Sequence, residues 1–125
     1  MKKIFITFLF FFTNLYADDF KLEKIIKGLE RPWSLSFIDS QNLFITEKTG
    51  NIKFINLNEK KIKNVIHNLN VLEDGQGGLL DILYKDNAIF VSYSENRSNG
   101  MSSTSVARAN FNKERLTKAN NLRIF

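Results

Sequence analysis

Leu43-Phe44-Ile45-Thr46 and Ile89-Phe90-Val91-Ser92 lie 46 residues apart, each with apolar residues at its first three positions and a hydroxyl at the fourth. Each stretch is short, rich in β-branched and aromatic residues, and bounded by turn formers, which is how a strand reads in sequence. Working back from the first copy, Asp39-Ser40-Gln41-Asn42 reads as a turn, and Trp33, Leu35 and Phe37 alternate with Ser34 and Ser36. That period of two predicts a strand whose apolar side is buried. Working forward, Lys48-Thr49-Gly50-Asn51 is a turn, Ile52–Leu57 a third strand, and Lys60–His67 a fourth, outer one. After Asp74-Gly75-Gln76-Gly77-Gly78 the cycle restarts. Leu79–Tyr84, a turn at Lys85-Asp86-Asn87, Ile89–Ser94, a polar loop from Glu95 to Gly100 and Thr104–Phe111 follow in order.

No stretch keeps a helical period, and the chain has a single proline, so the expected class is all-β and antiparallel. A repeat of about 40–50 residues built from about four strands is the footprint of a β-propeller blade. Two unrelated hairpins of a small sandwich would leave a similar trace. A blade buries both faces against neighbours, and repeat folds generally need about three units to cover their surfaces. Two blades leave faces and ring open, and the reading therefore expects further chain to complete them.

The first residues carry an export signal. Met1-Lys2-Lys3 places two cations before the apolar run Ile4–Phe12, whose length suits the ~7–15 residues of a signal core and falls short of the ~20 that span a bilayer. Leu15-Tyr16-Ala17 ends in a small residue, so cleavage is expected after Ala17, giving a signal peptide over 1–17, a mature domain over 18–125 and no permanent membrane anchor. The formal charge of +5 falls to +3 when Lys2 and Lys3 leave with the signal. Glu23, Glu47, Glu59 and Glu73 interrupt the remaining lysines, so the cations read as a solvated surface and nucleic-acid binding is set aside. Absence of cysteine removes disulfides and thiolate chemistry, and fits a bacterial periplasm. The single histidine, His67, excludes a site needing two imidazoles from this chain, and no carboxylate or serine motif accompanies it.

The loop Gly75-Gln76-Gly77-Gly78 is not a phosphate cradle, because no lysine-serine pair or helix start follows. On residue types alone it is a turn between blades. Asp81, just beyond it, reads as an outer-face polar residue or one that orients the loop. Trp33 reads as core, with sugar stacking the lesser alternative.

Four blocks then occur in one order: Gly28–Phe37, Leu43–Gly50, Gly75-Gln76-Gly77-Gly78-Leu79-Leu80-Asp81 and Val91–Glu95, continued by Thr104–Ala109. Together they resemble the opening of the PQQ-dependent sugar dehydrogenases, the soluble glucose and aldose dehydrogenases of the glucose/sorbosone dehydrogenase family, over essentially all of the mature chain. The resemblance implies the first two four-stranded blades of a six-bladed propeller, working in the periplasm with pyrroloquinoline quinone (PQQ) and calcium held over the central channel. It implies a sugar substrate that gives up a hydroxyl proton to a histidine and an anomeric hydride to the quinone. That histidine belongs to a His-x-x-Gly-Arg-like motif just past a segment resembling Asn121–Phe125, so no catalytic residue, quinone contact or calcium ligand is expected within these 125 residues. One site residue carries over: Gln76 matches the glutamine that reaches the sugar. The competing reading is a non-catalytic, exported propeller fragment that binds and self-assembles, and a lactonase-like calcium hydrolase lies further behind because it lacks the Gln76 loop. The sequence names neither the particular sugar nor the electron acceptor.

Overall fold

In a computed structural model of the chain the described residues are 20–111, with the backbone of 120–124. The expected signal peptide, 1–17, lies outside them. Every regular element is a strand: β1 (Pro32–Phe37), β2 (Asn42–Glu47), β3 (Ile52–Asn56), β4 (Lys61–Val65), β5 (Leu79–Lys85), β6 (Ala88–Asn96), β7 (Ser102–Asn110) and β8 (Asn120–Ile124). They form two four-stranded sheets, ordered β1-β2-β3-β4 and β5-β6-β7-β8, with every neighbouring pair antiparallel. These are two successive blades of an incomplete β-propeller. No helix occurs among the described residues. The fourth strand of the second blade, β8, falls in a segment the sequence reading left without a strand, because Asn120, Asn121 and Arg123 dilute its apolar pattern.

Turn chemistry sets the hairpins. The Asp39 carboxylate accepts the N–H groups of Gln41 and Asn42, both at 2.9 Å, closing the β1–β2 turn. Between β5 and β6, Asp86 and Asn87 both take positive φ (51° and 58°) and Lys85 pairs Ala88, which is a two-residue type I′ turn.

The sequence echo is a structural one. Leu35 pairs Ile45 and Phe37 pairs Leu43 in the first blade, as Ile82 pairs Val91 and Tyr84 pairs Ile89 in the second. Each inner strand also slips register near its start, between Pro32 and Ser34 and between Leu79 and Ile82. The hydroxyls of the echo do the same work in both blades: Thr46 Oγ1 accepts the Ser34 N–H (3.2 Å), and Ser92 Oγ accepts the Asp81 N–H (3.0 Å).

The core lies between the blades. Phe44, Ile52, Phe54 and Val65 of the first face Leu79, Ile82, Ile89, Val91, Tyr93 and Ala107 of the second, with Phe111 joining them. Phe44 is fully buried and meets Phe111 edge-on at 4.6 Å and Phe54 at 5.9 Å. Such T-shaped contacts add to the burial of apolar area.

One expectation about β1 is reversed. Trp33, Leu35 and Phe37 are 49%, 54% and 56% exposed, whereas Ser36 is 9% exposed and Ser34 half-buried. The serines face the second blade because β5 offers polar partners: Ser36 Oγ accepts the Tyr84 N–H (2.9 Å), and Ser34 Oγ donates to the Asp81 carboxylate. Between them Thr46 Oγ1 donates to the Leu80 carbonyl (2.6 Å). A ladder of hydroxyls therefore stitches the inner edge of the seam, and the apolar side of β1 faces away from it. On that far side Leu43 and Ile55 are buried, so within the strands of the first sheet the most open large apolar side chains are those of β1.

Candidate functional site

The long connection from β4 to β5 lies at the same end of the blades as the β2–β3 turn, the β6–β7 loop and the approach to β1, and contacts among these segments build a rim. Leu72 N–H donates to the Ser94 carbonyl and Ser94 N–H to the Gly78 carbonyl, both at 2.8 Å, so the loop clasps the end of β6 from both sides. Asn96 N–H reaches the Asn70 carbonyl at 2.9 Å, and Val71 bridges Glu95.

The tip is a tight turn. Gly77 N–H donates to the Asp74 carbonyl (2.6 Å), with φ positive at Gly75 (+52°) and negative at Gln76, the signature of a type II′ turn. Glycine is the residue that adopts this φ without a Cβ penalty. Gly78 answers a second demand: at φ +143° it lies so close to the Lys48 carbonyl oxygen that a Cβ would overlap it. Gln76 is thereby carried out at the apex, exposed, and its side-chain amide has no hydrogen-bond partner among the described residues.

Lys48 holds the tip, and Arg31 braces the loop beside it. Lys48 Nζ donates to the Gly75 carbonyl at 2.5 Å and lies 5.9 Å from the centre of the Trp33 ring. The main chain of Lys48 receives Leu79 N–H at its carbonyl and gives its own N–H to the Arg31 carbonyl, both at 3.1 Å. Arg31 in turn forks onto the Glu73 carboxylate, one arm at 3.1 Å, tying the approach to β1 to the loop. Beneath them the buried Glu47 carboxylate is satisfied by Glu30 N–H (2.7 Å), Asn51 Nδ2 (3.0 Å) and the Lys53 ammonium (3.4 Å).

His67 is part of this scaffold. Its Nδ1 accepts the Leu69 N–H at 3.3 Å, and burial holds its pKa below the usual imidazole range against the opposing pull of the Gly50 carbonyl. Its ring is thus committed to the loop. On the same rim Glu95 accepts Ser105 Oγ and the Arg97 guanidinium, both at 2.7 Å. Nearby Tyr93 is fully buried, its hydroxyl has no partner among the described residues, and its pKa is raised by burial and then by the Glu95 charge.

Gln76 thus lies exposed on the loop that joins the two blades. Asp81 does not orient that loop: it takes the Ser34 hydroxyl and so belongs to the seam. Trp33 is half-exposed beside Lys48 and not core. Sequence reading missed Lys48, Arg31 and Glu73, since residues 27 and 42 positions apart carry no local signal of their meeting. Among the described residues no group of three or more His, Cys, Asp or Glu side chains could hold a metal. A shallow concavity of about 140 Å³ on the outward face of the second blade, lined by Leu83, Phe90, Ser92 and Val106 among others, lies apart from Gln76.

The relatives agree with this architecture. A family described as glucose/sorbosone dehydrogenase matches residues 29–125. An uncharacterized protein, slr1608 of Synechocystis, is 32% identical over 116 residues, covering 79% of this chain and 27% of its own length. The apo-form of the soluble aldose sugar dehydrogenase from Escherichia coli is 27% identical with a TM-score of 0.72, over 82% of this chain and 31% of that one. The PQQ-bound form of aldose sugar dehydrogenase from Streptomyces coelicolor, at 18% identity and a TM-score of 0.67, shares the fold over 81% of this chain and 30% of that one. This chain thus spans roughly three-tenths of the length of the solved relatives it matches. With two repeat-related blades and a family match covering most of its residues, the chain belongs to the glucose/sorbosone dehydrogenase family.

Proposed function

We propose that these two blades form the N-terminal part of an exported, periplasmic sugar dehydrogenase that passes a hydride from an aldose to PQQ, and that Gln76 is the residue through which they touch the sugar. The observation that carries the reading is the exposed, unpartnered Gln76 amide on a turn fixed by Lys48 and by the clasp on Ser94. An amide both donates and accepts, which suits a ligand whose hydroxyls do the same. A fixed turn lets it do so with little further ordering on binding.

Bound in the complete enzyme, PQQ supplies the hydride acceptor and calcium polarises it. Among the described residues no three His, Cys, Asp or Glu side chains are grouped to hold a calcium ion, and we assign neither group to a residue of this chain. Nor does His67 suit the role of general base, since its Nδ1 already accepts a backbone N–H. The base in this reading lies on a later blade of a longer polypeptide. The chain's own contribution is to bind and orient a sugar hydroxyl.

Two measurements test this. Titrating the 15N-labelled chain with D-glucose shifts the Gln76 side-chain resonances, and Gln76→Leu removes the response; shifts that ignore Gln76 would refute the assignment. Supplied with PQQ and calcium, the chain alone leaves glucose unoxidised; turnover with an artificial electron acceptor would mean that the base is here after all.

A second reading, a non-catalytic module that completes a ring from copies of itself, draws on the exposed apolar side chains of β1 and on Leu83 (53% exposed) and Val106 on the outward face of the second blade. Three two-blade copies would close six blades. A sizing column separates the readings, because a folded monomer rules out ring closure.

A further inference from the structure

We propose that the Lys48 ammonium is a positioning group for Gln76, holding the Gly75 carbonyl and so fixing the direction in which the amide leaves the loop; the proposal rests on the reading of Gln76 as the sugar-contacting residue.

The turn by itself leaves the direction of its central peptide unit undecided. The bond from Gly77 N–H to the Asp74 carbonyl closes the four-residue turn, but the same bond is compatible with more than one orientation of the central peptide unit. Gly75, having no Cβ, can take negative φ as readily as the +52° observed, and the turn would then aim its central carbonyl, and with it Gln76, differently. Something outside the turn has to select among these states. Among the described residues Gln76 itself makes no side-chain hydrogen bond that could do so.

Lys48 is placed to select. Its Nζ lies 2.5 Å from the Gly75 carbonyl oxygen, the one acceptor on the central peptide unit, and a charged donor makes the stronger class of hydrogen bond. The stem is anchored at its root by two main-chain bonds, from Lys48 N–H to the Arg31 carbonyl and from Leu79 N–H to the Lys48 carbonyl. The ammonium is further confined by the face of Trp33. This division separates two jobs. The backbone of Lys48 docks the trailing end of the loop whatever its side chain is, while the side chain alone governs the tip. Arg31 and Glu73 brace the leading side.

The test compares the full chain, 15N-labelled, with Lys48→Met, which keeps the stem and removes the donor, and with Lys48→Arg, which returns a cationic donor. Two readouts are followed: hydrogen exchange at the Gly77 amide, and the shift of the Gln76 side-chain resonances with D-glucose. In Lys48→Met the central peptide unit is free to flip, each passage between orientations opens the bond from Gly77 N–H, and exchange at Gly77 is expected to speed by about tenfold while the buried β6 amides keep theirs. The glucose response at Gln76 weakens severalfold, and Lys48→Arg restores both. A merely structural role would move β6 with the loop and would not distinguish methionine from arginine at Gly77. Should Lys48→Met fail to fold, Lys48→Leu, which likewise removes the donor, gives the same comparison.

Unchanged Gly77 exchange in the methionine variant, or failure of arginine to restore it, overturns the proposal. If glucose leaves Gln76 unmoved in the parent chain while Gly77 exchange still depends on Lys48, the clamp stands and the sugar reading falls.

Discussion

Phe44 and Phe90 occupy the same position of the repeat, 46 residues apart, yet truncating them should have very different consequences. Phe44 has no exposed surface and sits at the centre of the seam, with the rings of Phe111, Phe54 and Tyr84 at 4.6, 5.9 and 6.1 Å. Phe44→Ala removes those contacts and opens a cavity that rigid strands on both sides cannot collapse, at a cost of about 3–5 kcal/mol. Phe90 points to the opposite side of its sheet, is only partly buried, and keeps one notable neighbour, the Arg108 guanidinium 5.7 Å above its ring. Phe90→Ala should therefore cost about 1–2 kcal/mol, half a side-chain transfer plus an exposed cation–π contact. Small domains hold only ~5–15 kcal/mol in total, so the first variant loses a large share of its stability and the second does not. Urea unfolding followed by far-UV circular dichroism measures both. Equal costs, or a cost below about 1 kcal/mol for Phe44→Ala, would mean that the two blades do not share the seam described.

Thr46→Val keeps shape but leaves the Ser34 N–H and the Leu80 carbonyl without their hydroxyl partner, at about 1–3 kcal/mol, while Ser92→Ala, at the equivalent but open position, should cost less than half as much in the same urea assay. Tyr93→Phe removes a buried hydroxyl with no partner and should leave the urea midpoint unchanged or raise it; a large loss would reveal a partner for that oxygen. His67 has its folded pKa below the unfolded value near 6.5, so the unfolded chain binds the proton more readily. Its contribution is present above that pH and is lost as pH falls below it. The imidazolium can no longer accept the Leu69 N–H, and the urea midpoint should fall between pH 7.5 and 5 by more in the parent than in His67→Gln.

How much of this was legible in sequence depends on whether the signal was local. The strands around Leu43–Thr46 and Ile89–Ser92 could be read because period-two alternation and turn residues are local properties, and their echo exposed the repeat. The orientation of β1 could not. Alternation of Trp33, Leu35 and Phe37 with two serines says that the faces differ, but the burial of the serine face depends on main-chain and carboxylate groups of β5, 47 and 48 residues away. β8 escaped notice because pairing with β7, not an apolar run, makes it a strand. The loop of Gln76 was legible as a glycine-rich turn between blades, whereas its match to a sugar-reaching glutamine came from the resemblance alone. Its supports were not, since Lys48 read only as a turn residue and its ammonium meets Gly75 through the packing of two blades.

The DNA downstream of the codon for Phe125 tests the central claim most directly. The account predicts an open frame that continues the blade repeat and encodes a His-x-x-Gly-Arg-like segment soon after Asn121–Phe125. Unrelated sequence in every frame would contradict the assignment of these blades to a sugar-oxidising enzyme.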